Sequence, residues 1–226
     1  MTVARTVEPQ YDACVEIARK EGIARFGVMA NQCWAEDPKR LAFLLARYKF
    51  VGRMLEGRKR VLEVGCADAF GTRVVQQMVG HVTATDIDPL FIEDARTRLD
   101  PRWPMELKLH DMLAGPAAPG DFDGAYSLDV LEHIPAAEER RFLGNLVASL
   151  NAEGAAVIGM PSLNSQTYAS PQSKIGHINC KQASDFKALM QEFFQHVFIF
   201  SMNDEVVHTG FHAMAHYYLA LCCGKR

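Results

Sequence analysis

Glu63, Gly65 and Asp86 stand where a short apolar run, a tight turn and a second apolar run would place ligand-binding groups. The small residues Gly65-Cys66-Ala67 follow Val61-Leu62-Glu63-Val64 and let a backbone approach a ligand closely. A helix behind that turn offers free N–H groups to an anionic group. Asp86 lies 23 residues beyond Glu63, at the end of Val82-Thr83-Ala84-Thr85. A carboxylate so placed accepts both hydroxyls of a ribose, so the spacing points to an adenosine-containing ligand. Two histidines add acid–base capacity: His133 follows the apolar stretch 122–130, and His177 falls in the polar segment 162–180. Imidazole titrates near neutrality and suits a general base. His208, His212 and His216 recur every four residues, as ligands on one helix face would. Their surroundings read as strand and no acid stands with them at a known metal spacing, so no metal is expected.

The elements that must position these groups follow from periodicity. Helical patterns cover 10–20 and 38–55, the second with Leu41, Leu44, Leu45, Tyr48, Val51, Met54 and Leu55 on one face. Asp37-Pro38 supplies an N-cap and a first helical residue. Beyond Arg60 the chain alternates: strands over 61–65, 81–87, 105–109, 122–130 and 155–160, and helices over 71–78, 89–99, 135–150 and 182–193. Two apolar runs, 197–202 and 211–222, close the pattern around the turn Asn203-Asp204-Glu205. This order predicts an α/β fold, a doubly wound, mostly parallel seven-stranded sheet with one antiparallel strand near the C-terminus. Residues 1–58 read as an N-terminal helical cap and 59–226 as the α/β unit.

Composition narrows the function classes. The 226 residues are 49% hydrophobic and 23% charged with net charge −3, which excludes wholesale disorder and disfavours a nucleic-acid partner. No apolar run approaches a bilayer span, so no membrane partner is expected. The segment from Met1 to Arg5 leads into Glu8-Pro9-Gln10 and reads as no secretory signal. Six scattered cysteines read as small apolar fillers in a cytoplasmic protein.

A dinucleotide turn would place glycine at Ala67 and Phe70, and the bulk of Phe70 disfavours an NAD-dependent oxidoreductase. The stretch Val61-Leu62-Glu63-Val64-Gly65-Cys66-Ala67-Asp68 instead resembles the glycine-rich first motif of class I S-adenosylmethionine-dependent methyltransferases. Thr85-Asp86-Ile87-Asp88 resembles their second motif, and 122–134, through Leu131-Glu132-His133-Ile134, their fourth-strand signature. The resemblance implies a Rossmann-like methyltransferase fold, S-adenosylmethionine as cofactor, and methyl transfer to a small-molecule acceptor such as a sugar or sugar-nucleotide precursor. It implies that Asp86 takes the ribose, that Asp111, Met112 and Ile87 meet the adenine, and that Glu63, Gly65, Cys66, Ala67 and Asp129 meet the methionine end. Asp68 is a further neighbour of that end. Arg47 would pair with the methionine carboxylate, and His133 or His177 would serve as base. Tyr168 and Asn179 could touch the acceptor, and Trp34 could close the site. The basic run from Lys39 to Arg60 raises an anionic acceptor. Ala67 and Ala69 replace the family's usual glycines, which keeps open a non-catalytic cofactor-binding protein.

Overall fold

A computed structural model describes residues 6–226; the reading of Met1 to Arg5 as no secretory signal lies outside the described residues. Three helices come first: α1 (Asp12–Glu21), α2 (Val28–Glu36) and α3 (Lys39–Met54). The alternating part runs β1 (Val61–Val64), α4 (Thr72–Val75), β2 (Val82–Asp86), α5 (Pro89–Arg96), β3 (Glu106–Leu109), β4 (Phe122–Leu128), α6 (Glu139–Ser149) and β5 (Leu150–Pro161). α7 (Pro171–Gly176), α8 (Ala183–Gln191), β6 (Phe194–Asn203), β7 (Val206–His208) and β8 (Tyr217–Lys225) complete it.

The strands form one sheet in the order β3-β2-β1-β4-β5-β8-β6-β7. β1 pairs in parallel with β2 and with β4, and every residue of β1 is buried, as expected of a parallel strand covered on both faces. β5 meets β8, and β8 meets β6, in antiparallel register. The β6–β7 hairpin adds an eighth strand to the seven expected. One face of the sheet packs Leu62, Val64, Phe142, Leu146, Phe186 and Tyr218; the other packs Val61, Val75, Ile92, Tyr126 and Leu219 with Val51 and Leu55 of the α3 region. The α3 segment therefore shares its core with β1 and β2. Among the described residues no helix is long and apolar enough to cross a membrane.

Local departures have local causes. Asp37 donates to Cys33 as the end of α2 and does not cap α3 with its side chain. Asp88 does cap α5, accepting from the Leu90 N–H at 2.8 Å with Pro89 in the first turn. The strand expected from Phe211 begins only at Tyr217, because His212–Met214 is a 3-10 turn. α2 is positioned by distant acids: Asp68 Oδ2 accepts from the Ala30 N–H at 2.8 Å and Asp94 from the Val28 N–H at 3.1 Å. Phe70 stands edge-on to Phe26 at 5.3 Å, which gives its bulk a packing role against the N-terminal segment. Trp34, half-exposed, also meets Phe26, with ring centroids 5.6 Å apart and the planes tilted by 37°, and does not appear in the cleft described below.

Candidate active site

Strand order reverses between β1 and β4, and in open α/β sheets that is where ligands enter, beyond the carboxyl ends. The turn after β1 is tightly built. Gly65 has φ +79°, and a Cβ there would lie 2.2 Å from Val130 Cγ2 across the switch point. The Gly65 and Cys66 N–H groups donate to the Thr85 carbonyl at 2.8 and 2.9 Å. Burial pushes the Cys66 thiol pKa up, so Cys66 acts as a small filler in the turn. Ala67 (φ +45°) and Ala69 (φ +54°) are both left-handed, a backbone that costs a side chain about 1–2 kcal/mol per residue. Asp129, at the end of β4, is left-handed too, with φ +56°. Such strain clusters where a ligand needs a fixed backbone.

Asp86 ties this turn to β2. Its Oδ2 accepts from the Ala67 N–H at 2.8 Å and its Oδ1 from the Asp88 N–H at 2.9 Å. Each oxygen keeps a second lone pair. Ile87 beside it is 66% exposed, an apolar platform at a strand end. Asp111 commits Oδ1 to the Leu113 N–H at 2.8 Å, and Met112 is buried with its carbonyl accepting from Asn145 at 2.7 Å. Glu63 points elsewhere than expected. It is buried, accepting from Tyr48 Oη at 3.0 Å and Thr72 Oγ1 at 2.5 Å, so its side chain braces α3 and α4 against β1 beneath the turn. Asp68 likewise spends its carboxylate on α2 and on the Phe70 N–H.

Across the switch point Arg47 of α3 pairs with Asp129, its Nη1 2.9 and 2.8 Å from the two carboxylate oxygens. The guanidinium lies 3.8 Å over the ring of Tyr217. Burial pulls the Arg47 pKa down, but Asp129 more than offsets this and holds it above the usual value. Tyr217 Oη accepts from the Asp129 N–H at 3.2 Å, and Gly159 leaves room for that hydroxyl, since a Cβ there would meet it at 2.7 Å. Arg47 and Tyr217 wall a cleft of about 560 Å³ whose other side is Pro161, Gln166, Tyr168 and His177. A larger hollow, about 1150 Å³, lies by α1 and the α4–α5 face, lined by Ile17, Ile23, Phe70, Arg73 and Trp103.

His133 and His177 come together, their rings edge-to-face with centroids 5.3 Å apart. His133 Nδ1 donates to the Gly176 carbonyl at 2.8 Å, and His177 Nδ1 lies 2.8 Å from Gln166 Oε1. Burial and neighbouring His133 push the His177 pKa below its usual value. Glu132 is fully buried, and burial together with Asp129 raises its carboxyl well above the carboxylate range. Asn179 turns inward to Glu139 at 2.8 Å, away from any acceptor, whereas Tyr168 is exposed at the cleft. The basic run is largely neutralised by pairs: Lys39 with Asp37, Arg40 with Glu36, Arg53 with Glu56, Arg60 with Asp121. His208, His212 and His216 do not share a helix face: His208 bonds to Asn203, and His212 to Ser201. Tyr217 is a site residue that the sequence does not suggest, because β8 brings it from far along the chain, and Gln166 and Gly176 join the site through the fold of the 162–180 segment around His177 and His133.

Residues 61–154, from β1 into β5, match the family model described as a methyltransferase domain. A ubiquinone biosynthesis O-methyltransferase of Xanthomonas campestris is 28% identical over 124 residues, covering 49% of each chain. The mitochondrial ubiquinone biosynthesis O-methyltransferase of Schizosaccharomyces pombe is 28% identical over 60% of this chain and 53% of its own. The chain thus spans about half the length of the curated relatives it matches. Among solved structures, the N-methyltransferase NodS of Bradyrhizobium japonicum, in complex with S-adenosylhomocysteine, superposes with TM-score 0.60 at 20% identity, over 84% of this chain and 89% of that one. The plantazolicin methyltransferase BpumL superposes with TM-score 0.65 at 11% identity, over 87% and 89%. Residues 61–154 thus carry a methyltransferase-domain match, set on a fold shared with solved methyltransferases and on the three motifs that resemble those of the class I S-adenosylmethionine-dependent enzymes.

Proposed function

We propose that this chain transfers a methyl group from S-adenosylmethionine to a hydroxyl of a small-molecule acceptor seated in the cleft beside Arg47 and His177. One observation carries the reading: the strained turn after β1 and the acceptor cleft are joined through a single contact line. Gly65 packs on Val130, Asp129 beside it holds Arg47, and Arg47 walls the cleft. The donor set suits the cofactor. Asp86 has free lone pairs for a ribose diol, Ile87, Asp111 and Met112 flank a place for adenine, and the Gly65–Ala67 turn is held rigid beside them by its bonds to Thr85 and Asp86. Arg47 and Asp129 together offer a cation and an anion to an amino-acid end. When bound, the cofactor supplies a methyl carbon made electrophilic by its sulfonium.

The residues of this chain would orient the acceptor. Holding nucleophile and methyl in line contributes roughly 7–11 kcal/mol in well-oriented reactions. His177 lines the cleft with His133 beside it, so this histidine pair stands at the side where the acceptor hydroxyl would lie. Tyr168, Tyr217 and Pro161 favour a flat apolar ring. The lining gives an anionic sugar nucleotide little support, since Arg47 is already neutralised by Asp129. An oxygen nucleophile is supported by the names of the curated relatives. We assign the chain to the cytoplasm, a reading supported by six free cysteines.

Titration calorimetry with S-adenosylhomocysteine tests the cofactor site. Asp86→Ala should bind about 10–100-fold more weakly than wild type, the equivalent of one charge-assisted bond of roughly 1.5–3 kcal/mol. Asp86→Asn, which keeps the side-chain shape beside the Ala67 N–H, controls for collapse of the turn. Equal affinity in wild type and both variants would remove the reading.

A further inference from the structure

We infer that Glu132, His133 and His177 form a divalent-cation site at the edge of the acceptor cleft. One ligand atom from each lies within 4.8 Å of the others, and Glu132 Oε1 is 4.0 Å from His133 Nε2. Glu132 is 0% exposed, yet neither carboxylate oxygen has a hydrogen-bond partner among the described residues. Buried carboxylates are almost always paired, hydrogen-bonded or bound to a metal, so an orphan aimed at two imidazoles calls for a cation.

The imidazoles are set for that role. The Gly176 carbonyl can only accept, so His133 Nδ1 carries the proton and Nε2 presents a bare lone pair. The same holds at His177, because the Gln166 amide is fixed independently: its Nε2 donates to the Ser162 carbonyl at 3.1 Å, leaving Oε1 to accept from His177 Nδ1. Metal-bound histidines are characteristically held this way, the second nitrogen donating to a carbonyl or carboxylate oxygen. Two imidazole nitrogens and one carboxylate leave coordination positions open, and the set suits Mn²⁺, Co²⁺ or Zn²⁺. Closing to bonding distance asks for a movement of the 162–180 segment that carries His177 and Gln166 toward Glu132.

The role of the cation rests on the methyltransferase reading; its binding does not. Because His177 lines the cleft, an open position would take an oxygen of the acceptor. A hydroxyl held there loses its proton to solvent more readily, as metal-bound water does. An Nε2 bound to the cation takes no proton, so the imidazoles would position rather than deprotonate.

The test is calorimetry of the chelator-stripped full chain with MnCl₂, CoCl₂ and ZnCl₂ in turn, and Co²⁺ absorption bands as a second readout. The expected result is one saturable site per chain. Affinity should fall at least 100-fold in Glu132→Gln and in His177→Ala, and about 10-fold in Gln166→Leu, which removes only the support of His177. His177→Ala keeps the test decisive if Glu132→Gln fails to fold, because His177 sits on a partly exposed loop. No saturable binding of any of the three ions, or binding unchanged in His177→Ala, overturns the site. S-adenosylhomocysteine titrated in parallel separates the two readings: ion binding without it keeps the site and removes its role toward an acceptor.

Discussion

Glu63 sits under the turn with two hydroxyl donors, yet burial outweighs them and pushes its carboxyl up to about 7. In an unfolded chain the same group titrates near ~4.3. The folded state therefore holds the extra proton between these values, and stability from this group is full below the lower one and falls as pH rises through the higher. The loss is on the order of 3 kcal/mol across that window. Glu63→Gln, neutral at every pH, should lack it. Urea unfolding at pH 5 and pH 8 would show wild type losing about that much relative to the variant; parallel curves would mean that burial does not govern the group. At this scale Asp86 and Asp129 were legible as acids at strand ends, since each closes an apolar run of the sequence, whereas Arg47, in the middle of α3, was suggested only by resemblance. The Glu63 side chain departs from the expected ligand role, because its partners Tyr48 and Thr72 come from helices whose packing no spacing reveals.

The turn after β1 and the end of β4 act as one element, two left-handed alanines facing a left-handed aspartate across the switch point. Glycine relieves about 1–2 kcal/mol of left-handed cost per site and gives back roughly 0.4–1 kcal/mol in the entropy of the unfolded chain. Ala67→Gly and Ala69→Gly should thus each stabilise by about 0.5–1 kcal/mol, raising Tm by about 2 °C. Calorimetric melts check this, and a fall in Tm in both would show the turn to be unstrained. The alternation from β1 to β6 was legible because buried parallel strands read as short apolar runs between capped helices. α2 was not, for it buries only Ala30 and Cys33 and is anchored at its N-terminus by Asp68 and Asp94 far along the chain. The apolar run from Phe211 misled for a similar reason: Phe211 and Met214 are exposed in a turn, and only Tyr217 onward enters the sheet. The meeting of Glu132, His133 and His177 depends on how the 162–180 segment folds back, which local pattern does not encode.

For the whole molecule, the sheet divides at β5. From β3 to β5 it is parallel and carries the switch point and its strained turn, whereas β8, β6 and β7 add an antiparallel wing that delivers Tyr217 beneath Arg47. β8 lies between β5 and β6 and completes both. Ending the chain after His216 should therefore leave a long apolar β5 edge unpaired, and the product should appear in the insoluble fraction on expression. A soluble, monodisperse truncate on size exclusion would contradict this.

The same insertion sets a timetable for synthesis. β5 is translated well before β8, with α7, α8, β6 and β7 emerging between them. Through that interval one flank of the nascent sheet has no neighbour and must be shielded, by a chaperone or by the ribosome, until its late partner arrives.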